Sequence, residues 1–426
     1  MRRRHPLVGH LVVVGALVLV SCGRDDARDP VTQQVRSMVG VSTRLPDLPA
    51  SLEQASEAPV PAVAGPPITI DRPVSIELAD PATRVAPPLR EITLAFTGDN
   101  LIHSPLNLQA LDNGGGATYD YRPMYSAVAP ILSAVDLAVC HVESPVAPPG
   151  EELSTFPRFG IPAQIADGLA SAGYDRCSTA SNHALDRGAA GVDATVNALE
   201  AAGIDQSGMA RNPAEAVQDV FTVGGIRIAH LSYTFSFNGL PLPKGEPWRS
   251  NLIEPTRIIV DATDARARGA QIVIVSLHWG AEGLPVITSE QRRLAEQLTA
   301  SGQIDLIVGH HVHVIQPIEQ VNGRWVVYGM GNFLSNMPTG DRWPYPEHTQ
   351  DGEIVEFTIT EVPGGGFTIS PPAVHPTWVD RDRGWVIRPV VETLADPNTP
   401  AFLRPLLEAS YARTAAVSGP YVIPLV

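Results

Sequence analysis

Six apolar runs in this chain each close on residues able to bind a metal. That recurrence constrains the fold more than any other feature. "ITLAFT" runs into Gly98-Asp99, "VDLAVCHVE" closes on Glu143, and "YDRCSTASNH" closes on Asn182 and His183. "AQIVIVSLHWG" carries His278 near its end, "IDLIVGHHVH" ends in His310, His311 and His313, and "RWVVYGMGNF" ends at Asn332. The runs have the length and composition of buried strands. Between them lie stretches of helical spacing: "AQIADGLASAG", "GVDATVNALEAAG", "PTRIIVDATDARARG" and "SEQRRLAEQLTASG". Each closes on a Gly, a common helix C-terminal signal. "DVFTVGGIRIAHLSY" predicts a hairpin about Gly224-Gly225. Alternating strands and helices predict an α/β domain. In open α/β sheets ligands bind outside the C-terminal strand ends, so these six ends are expected to meet in one crevice.

The donors are carboxylates, amide oxygens and imidazoles, with no thiolate. Mixed oxygen and nitrogen ligation suits Mn, Fe, Zn or Co better than a structural cysteine–zinc site. Each residue alone has an ordinary explanation. Gly98-Asp99 fits a turn, Ser181 or Asn182 a helix cap, and His278 a hydrogen-bonded core edge. Six such ends in succession point instead to a shared site. If "LIVGHHVHV" stays extended, residues two apart share a face. His311 and His313 then point together, and His310 faces away in a supporting role.

The N-terminus reads as export machinery. A basic "MRRRH" precedes an apolar stretch too short for a comfortable membrane span, which runs into "LVSC" at Leu19–Cys22. A small residue before that cysteine resembles a bacterial lipobox. Residues 1–21 are then a lipoprotein signal peptide, with lipid on Cys22 holding the chain outside the cytoplasmic membrane. Residues 22–88, rich in Pro and Ala, read as a tether, although "ITIDRPVSIEL" within them has strand character. The folded domain is expected over 89–380, with a C-terminal tail over 381–426 packing on it. Cys140 and Cys177 remain, as one disulfide or as two buried thiols; the sequence does not separate these. A formal charge of −15 argues against sequence-independent nucleic-acid binding.

The ordered set "FTGDNLIHSP", "HVESPV", "STASNHALDRG", "VSLHWGAE", "VGHHVHVIQP" and "VYGMGNF" resembles the CapA family over roughly residues 91 to 340. These are bacterial capsule and poly-γ-glutamate synthesis proteins built on a calcineurin-like metallophosphatase fold. The resemblance implies a four-layer αββα sandwich of two mixed sheets flanked by helices, with two divalent ions at the strand ends. By motif, Asp99 would bind one ion, Glu143 would bridge both, Asn182 and His278 would bind the second, and His311 and His313 would be shared. His103 would supply the remaining histidine. His183 resembles a general acid, with Asp186 orienting it, and Asn332 would line the cavity. Arg158, in "STFPRFGIP", is a candidate carboxylate clamp. The chain departs from the pattern at His141-Val142 before Glu143, where Asn-Leu is usual, at Ser181 for Asn, and at Val312 for Pro.

These readings imply metal-dependent hydrolysis or transfer on an anionic cell-surface polymer or its precursor. Expected partners are the membrane, through Cys22, and other capsule-synthesis membrane proteins. Two alternatives stand beside this: a non-catalytic polymer-binding export accessory, and a generic metallophosphoesterase.

Overall fold

The computed structural model describes residues 88–425 apart from 218 and 338–345. The expected leader, the lipidation site Cys22, the tether to residue 87 and the strand-like "ITIDRPVSIEL" lie outside them. The strands in chain order are β1 Glu91–Leu101, β2 Leu137–Val142, β3 Arg176–Ser178, β4 Asp205–Ser207, β5 Phe221–Val223, β6 Ile226–Thr234, β7 Ile272–His278 and β8 Leu306–His310. There follow β9 Ile318–Val321, β10 Arg324–Val327, β11 Asn332–Ser335, β12 Asp351–Glu361, β13 Phe367–Ile369, β14 Ala373–Asp380 and β15 Val386–Pro389. The helices are α1 Ser104–Asn113, α2 Arg122–Tyr125, α3 Ala129–Leu132, α4 Ile165–Ala172, α5 Gly188–Ala201, α6 Pro255–Ala267, α7 Ser289–Ala300, α8 Val390–Ala395 and α9 Arg404–Ser418.

Two mixed sheets result. The larger runs β15-β14-β12-β1-β2-β3-β4, with β11 also on β1 and β13 on β12; the smaller runs β5-β6-β7-β8-β10-β9. In the larger sheet β1 lies parallel to β2 and β11 and antiparallel to β12. In the smaller one β6, β7 and β8 are parallel, and β5 and β6 form the expected hairpin.

The core explains the layering. Ile92, Leu94 and Phe96 of β1 and Val139 of β2 meet Ile228, Ile274 and Val308 of the other sheet in one buried cluster. The outer face of the larger sheet packs on Leu106, Tyr125, Ile165 and Leu169 from α1, α2 and α4. The outer face of the smaller packs on Ile258 and Ala262 of α6 and Leu294 and Leu298 of α7. The expected αββα sandwich is therefore present, and the central strands β7 and β8 are apolar over most of their length because both faces are covered. α7 starts at a capping box between Thr288 and Gln291. α4 ends at Gly173 with φ 96°.

Several element boundaries differ from expectation. β1 does not stop at Gly98-Asp99; it continues to Leu101 through register shifts on either side of Asp99. Asn332 begins a strand and does not end one. "YDRCSTASNH" supplies only three strand residues; the chain leaves the sheet after Ser178 and enters a turn at Asn182 and His183. The segment after residue 380 adds edge strand β15 to the larger sheet, and α8 and α9 pack Val390, Leu403 and Leu407 against Trp378. Cys140 and Cys177 face each other in register on β2 and β3 and form a disulfide. No helix among the described residues is long and apolar enough to cross a membrane.

Candidate metal centre

The crevice is built where β1, β2, β7 and β8 end. Asp99 reaches it because β1 passes tightly against the loop before β11: a Cβ on Gly98 would lie 2.2 Å from the Gly331 carbonyl oxygen. That close approach lets the Asp99 amide donate to the same oxygen at 2.9 Å. Only Gly fits there. The turn after β8 does the complementary work. His311 and His313 have φ of 88° and 58°, a left-handed backbone that costs a β-carbon residue about 1–3 kcal/mol. The turn brings the His311 amide to donate to Asp99 Oδ2 at 3.0 Å.

This corrects the reading of "GHHVH". The chain stops being extended at His310, so the two-residue alternation no longer applies beyond it. His310 does not face away: its Nδ1 lies 3.2 Å from Asp99 Oδ1. His313 Nδ1 lies 3.2 Å from Asp99 Oδ2. His310 stacks on His141, with ring centres 4.0 Å apart and planes 14° apart. Lone pairs on imidazole nitrogens lie in the ring plane, so two rings stacked this way do not converge on one ion. Asp99, His141 and His310 are near enough to one another to suggest a ligand set, but the stacking makes His310 a holder of Asp99.

Glu143 follows β2 at the centre, fully buried, and neither carboxylate oxygen has a hydrogen-bond partner among the described residues. Its Oε1 lies 3.8 Å from His278 Nε2 and 3.7 Å from His313 Nε2. His278 Nε2 also lies 3.0 Å from Asn182 Oδ1. His311 packs against Phe235 and His278, and its Nδ1 is buried without a hydrogen-bond partner among the described residues. Asp99, Glu143, Asn182, His278, His311 and His313 thus come together.

Burial dominates the electrostatics. It would raise the Asp99 carboxyl, but contacts from His310 and His313 outweigh it and hold Asp99 well below the usual carboxylate range. At Glu143 burial outweighs the attraction of His313 and pushes the carboxyl well above that range. Burial lowers His311 to about 3. Burial also opposes charge on His313, yet Glu143 and Asp99 together lift it to about 10.

The remaining expected residues separate into two groups. His183 lines a cavity of about 320 Å³ with His103, His313, Phe156, Phe159 and Glu282. Its Nδ1 is 2.7 Å from Asp186 Oδ2, which also accepts from the Phe159 amide at 2.7 Å. Ser181 accepts the His183 amide at 3.1 Å and donates to the Glu143 carbonyl at 2.7 Å, so this departure from the family pattern braces the turn. The buried Val312 packs over Gly280 and Gly329. His103 belongs to no ligand group among the described residues; its Nδ1 faces the Leu101 carbonyl at 3.0 Å. Asn332 does not line the cavity. It is fully buried, its Oδ1 is 3.0 Å from His313 Nδ1, and its Nδ2 donates to the Thr349 carbonyl at 3.0 Å. Arg158 is exposed on a neighbouring groove with Asp186 and Arg187; that groove shares Thr155 and Phe156 with the cavity, which Arg158 itself does not line. His141 was missed as a site residue. The signal was present: it stands two before Glu143 on a strand, hence on the same face.

The family model described as "Bacterial capsule synthesis protein PGA_cap" matches residues 93–337. The chain is 26% identical over 289 residues to the PGA biosynthesis protein CapA of Bacillus subtilis, covering 67% of this chain and 72% of that one. It is 26% identical over 281 residues to the capsule biosynthesis protein CapA of Bacillus anthracis, covering 64% of each. Similar solved structures include the NAD nucleotidase of Haemophilus influenzae, with TM-score 0.43, 13% identity and coverage of 80% of this chain and 65% of that one. Another is the calcineurin-like phosphoesterase YfkN of Bacillus subtilis, with TM-score 0.39, 12% identity and coverage of 77% and 98%. With the family model spanning more than half the sequence and the motif residues gathered in one crevice, the chain belongs to the bacterial capsule synthesis protein PGA_cap family.

Proposed function

We propose that this protein is a metal-dependent hydrolase or transferase acting on a cell-surface polymer of the poly-γ-glutamate or capsule class. Glu143 carries the reading: a wholly buried carboxylate with neither oxygen hydrogen-bonded among the described residues, beside imidazole nitrogens and an amide oxygen. Such a group costs several kcal/mol to bury unless a cation or proton compensates it. The donors fit hard or borderline divalent ions. Asp99, Glu143, Asn182, His278, His311 and His313 would hold two of them, of the Mn, Fe, Zn or Co kind. A pair of ions supplies an acidified water and a clamp for an oxyanion.

The chain's own residues do the rest. Asp186 holds the Nδ1–H of His183, leaving Nε2 to exchange a proton with a leaving group in the adjoining cavity. The Phe159 amide keeps Asp186 in place. Lipid on Cys22 would keep the domain outside the cytoplasmic membrane, near membrane proteins of capsule synthesis. The Cys140–Cys177 disulfide supports an oxidising location. A purely electrostatic polymer-holding role is less favoured, because among the described residues the cavity is lined by Glu282 and by no Arg or Lys.

Metal analysis of the purified protein beside its Glu143→Ala variant tests this. Bound transition metal in the parent, lost in the variant, is the expected outcome; a metal-free parent would sink the reading. His183→Ala should keep its metal and lose polymer processing. Unchanged processing would leave the polymer-holding role.

A further inference from the structure

The cavity beside the metal centre has a character of its own. Its walls are largely apolar: Leu101, Phe159 and Met337 are buried against it, and Phe156 lines it with 70% of its surface exposed. Among the described residues that line it, Glu282 is the one carboxylate, and no Arg or Lys appears. Glu282 is exposed at this cavity. Its loop is tied to the histidine turn, because the Gly283 amide donates to the Val312 carbonyl at 2.8 Å.

Such walls sort leaving groups by charge. His183 lines the same cavity, so a group that it protonates departs into that space. An anionic group there would meet the Glu282 carboxylate with no cation to offset the repulsion. It would also lose hydration against Phe156, Phe159 and Met337 with nothing in exchange. An apolar body ending in an ammonium gains on both counts. Its carbon surface leaves water, and its charge faces Glu282. A neutral alcohol of the same shape gains only the first.

We propose that the scissile bond of the substrate is an amide whose nitrogen side is an apolar amine, selected by Phe156 and Glu282. The proposal rests on the metal reading above. In the hydrolytic form the C–N bond breaks and the oxygen of water stays on the acyl carbon. His183 Nε2 gives one proton to the nitrogen. Of the two protons of water, one restores His183 and the other goes to the nitrogen. The products are a carboxylate and an ammonium, so atoms and charge balance. An amine bearing its own carboxylate would set that charge against Glu282. The cut therefore falls where the polymer joins an apolar amine, not within a polyanionic run.

Three probes of one shape test this by ligand-observed NMR titration of the purified protein: phenethylammonium, phenethyl alcohol and phenylpropionate. Metal content is measured on the same sample. The ammonium should bind about 10-fold tighter than the carboxylate, with the alcohol between, as an exposed attraction set against an exposed like-charge repulsion would give. Glu282→Gln should abolish that order. Phe156→Ala should weaken all three probes by about 2- to 10-fold. Both side chains are exposed, so neither change opens the core. Carboxylate or alcohol binding as tight as the ammonium would overturn the proposal. So would binding of none of the three, the parent order kept in Glu282→Gln, or parent-like affinities in Phe156→Ala. Any of these with metal present leaves the metal reading intact. A metal-free parent protein overturns that reading and the proposal with it.

Discussion

His183 and Asp186 show how much a single contact decides. With Asp186 Oδ2 2.7 Å from Nδ1, the ring's orientation and tautomer are set from behind. Asp186→Asn would leave a ring free to take the other tautomer. Turnover of a generic phosphodiester should then fall by about 10²- to 10⁴-fold, the usual contribution of a positioned acid. Metal content should stay at the parent level, which atomic absorption checks. The same scale exposes how far single residues can be read from sequence. Asp99, Glu143, Asn182, His278, His311 and His313 were legible because each follows an apolar run. Asn332 and His310 were misplaced because a side chain's direction depends on backbone torsions at β11 and at the turn after β8, which apolar patterning does not encode.

At the scale of elements, β2 and β3 are joined by the Cys140–Cys177 disulfide, closing a separation of 37 residues. β3 is only three residues long and carries Ser178, so the bridge anchors a short strand that supports His141. Replacing both cysteines by Ala should cost about 2–4 kcal/mol in denaturant unfolding. A second prediction concerns the packing of α9 on β12. Glu353 is fully buried and accepts from Ser418 Oγ at 2.8 Å, with its other oxygen unpartnered among the described residues. Burial, opposed by the Ser418 bond, lifts its pKa to about 8. A carboxyl whose folded pKa exceeds its unfolded value stabilises fully below the unfolded value, near 4.5, and that stability is lost as pH rises toward 8. Glu353→Gln should remove this decline, a slope of at most about 1.4 kcal/mol per pH unit. Urea midpoints at pH 5 and pH 8.5 should diverge in the parent and draw together in the variant.

Across the whole molecule the centre depends on two sheets keeping their distance. Asp99 and Glu143 come from the larger sheet, while His278 and the His311–His313 turn come from the smaller. Phe357 of β12 sits between the sheets against Phe96 and Trp325. Phe357→Ala should cost about 3–5 kcal/mol, and should lower metal affinity although the residue lies outside the ligand set. Calorimetric melting with and without added Mn²⁺ separates the two effects, since bound metal raises Tm by mass action.

By itself the sequence determined the α/β class, the central strands, four of the helices and most of the donor set, because burial writes apolar periodicity directly into residue order. The family's four-layer sandwich was likewise legible, since its motifs lie in the strand ends. Only the tertiary structure decided which way His310 points, that Asn332 braces His313, that Arg158 stands apart, and that Cys140 meets Cys177. It also decided that His141 joins the site. These depend on contacts between residues distant in the chain and on a left-handed turn at two histidines, where local patterning carries no information about direction.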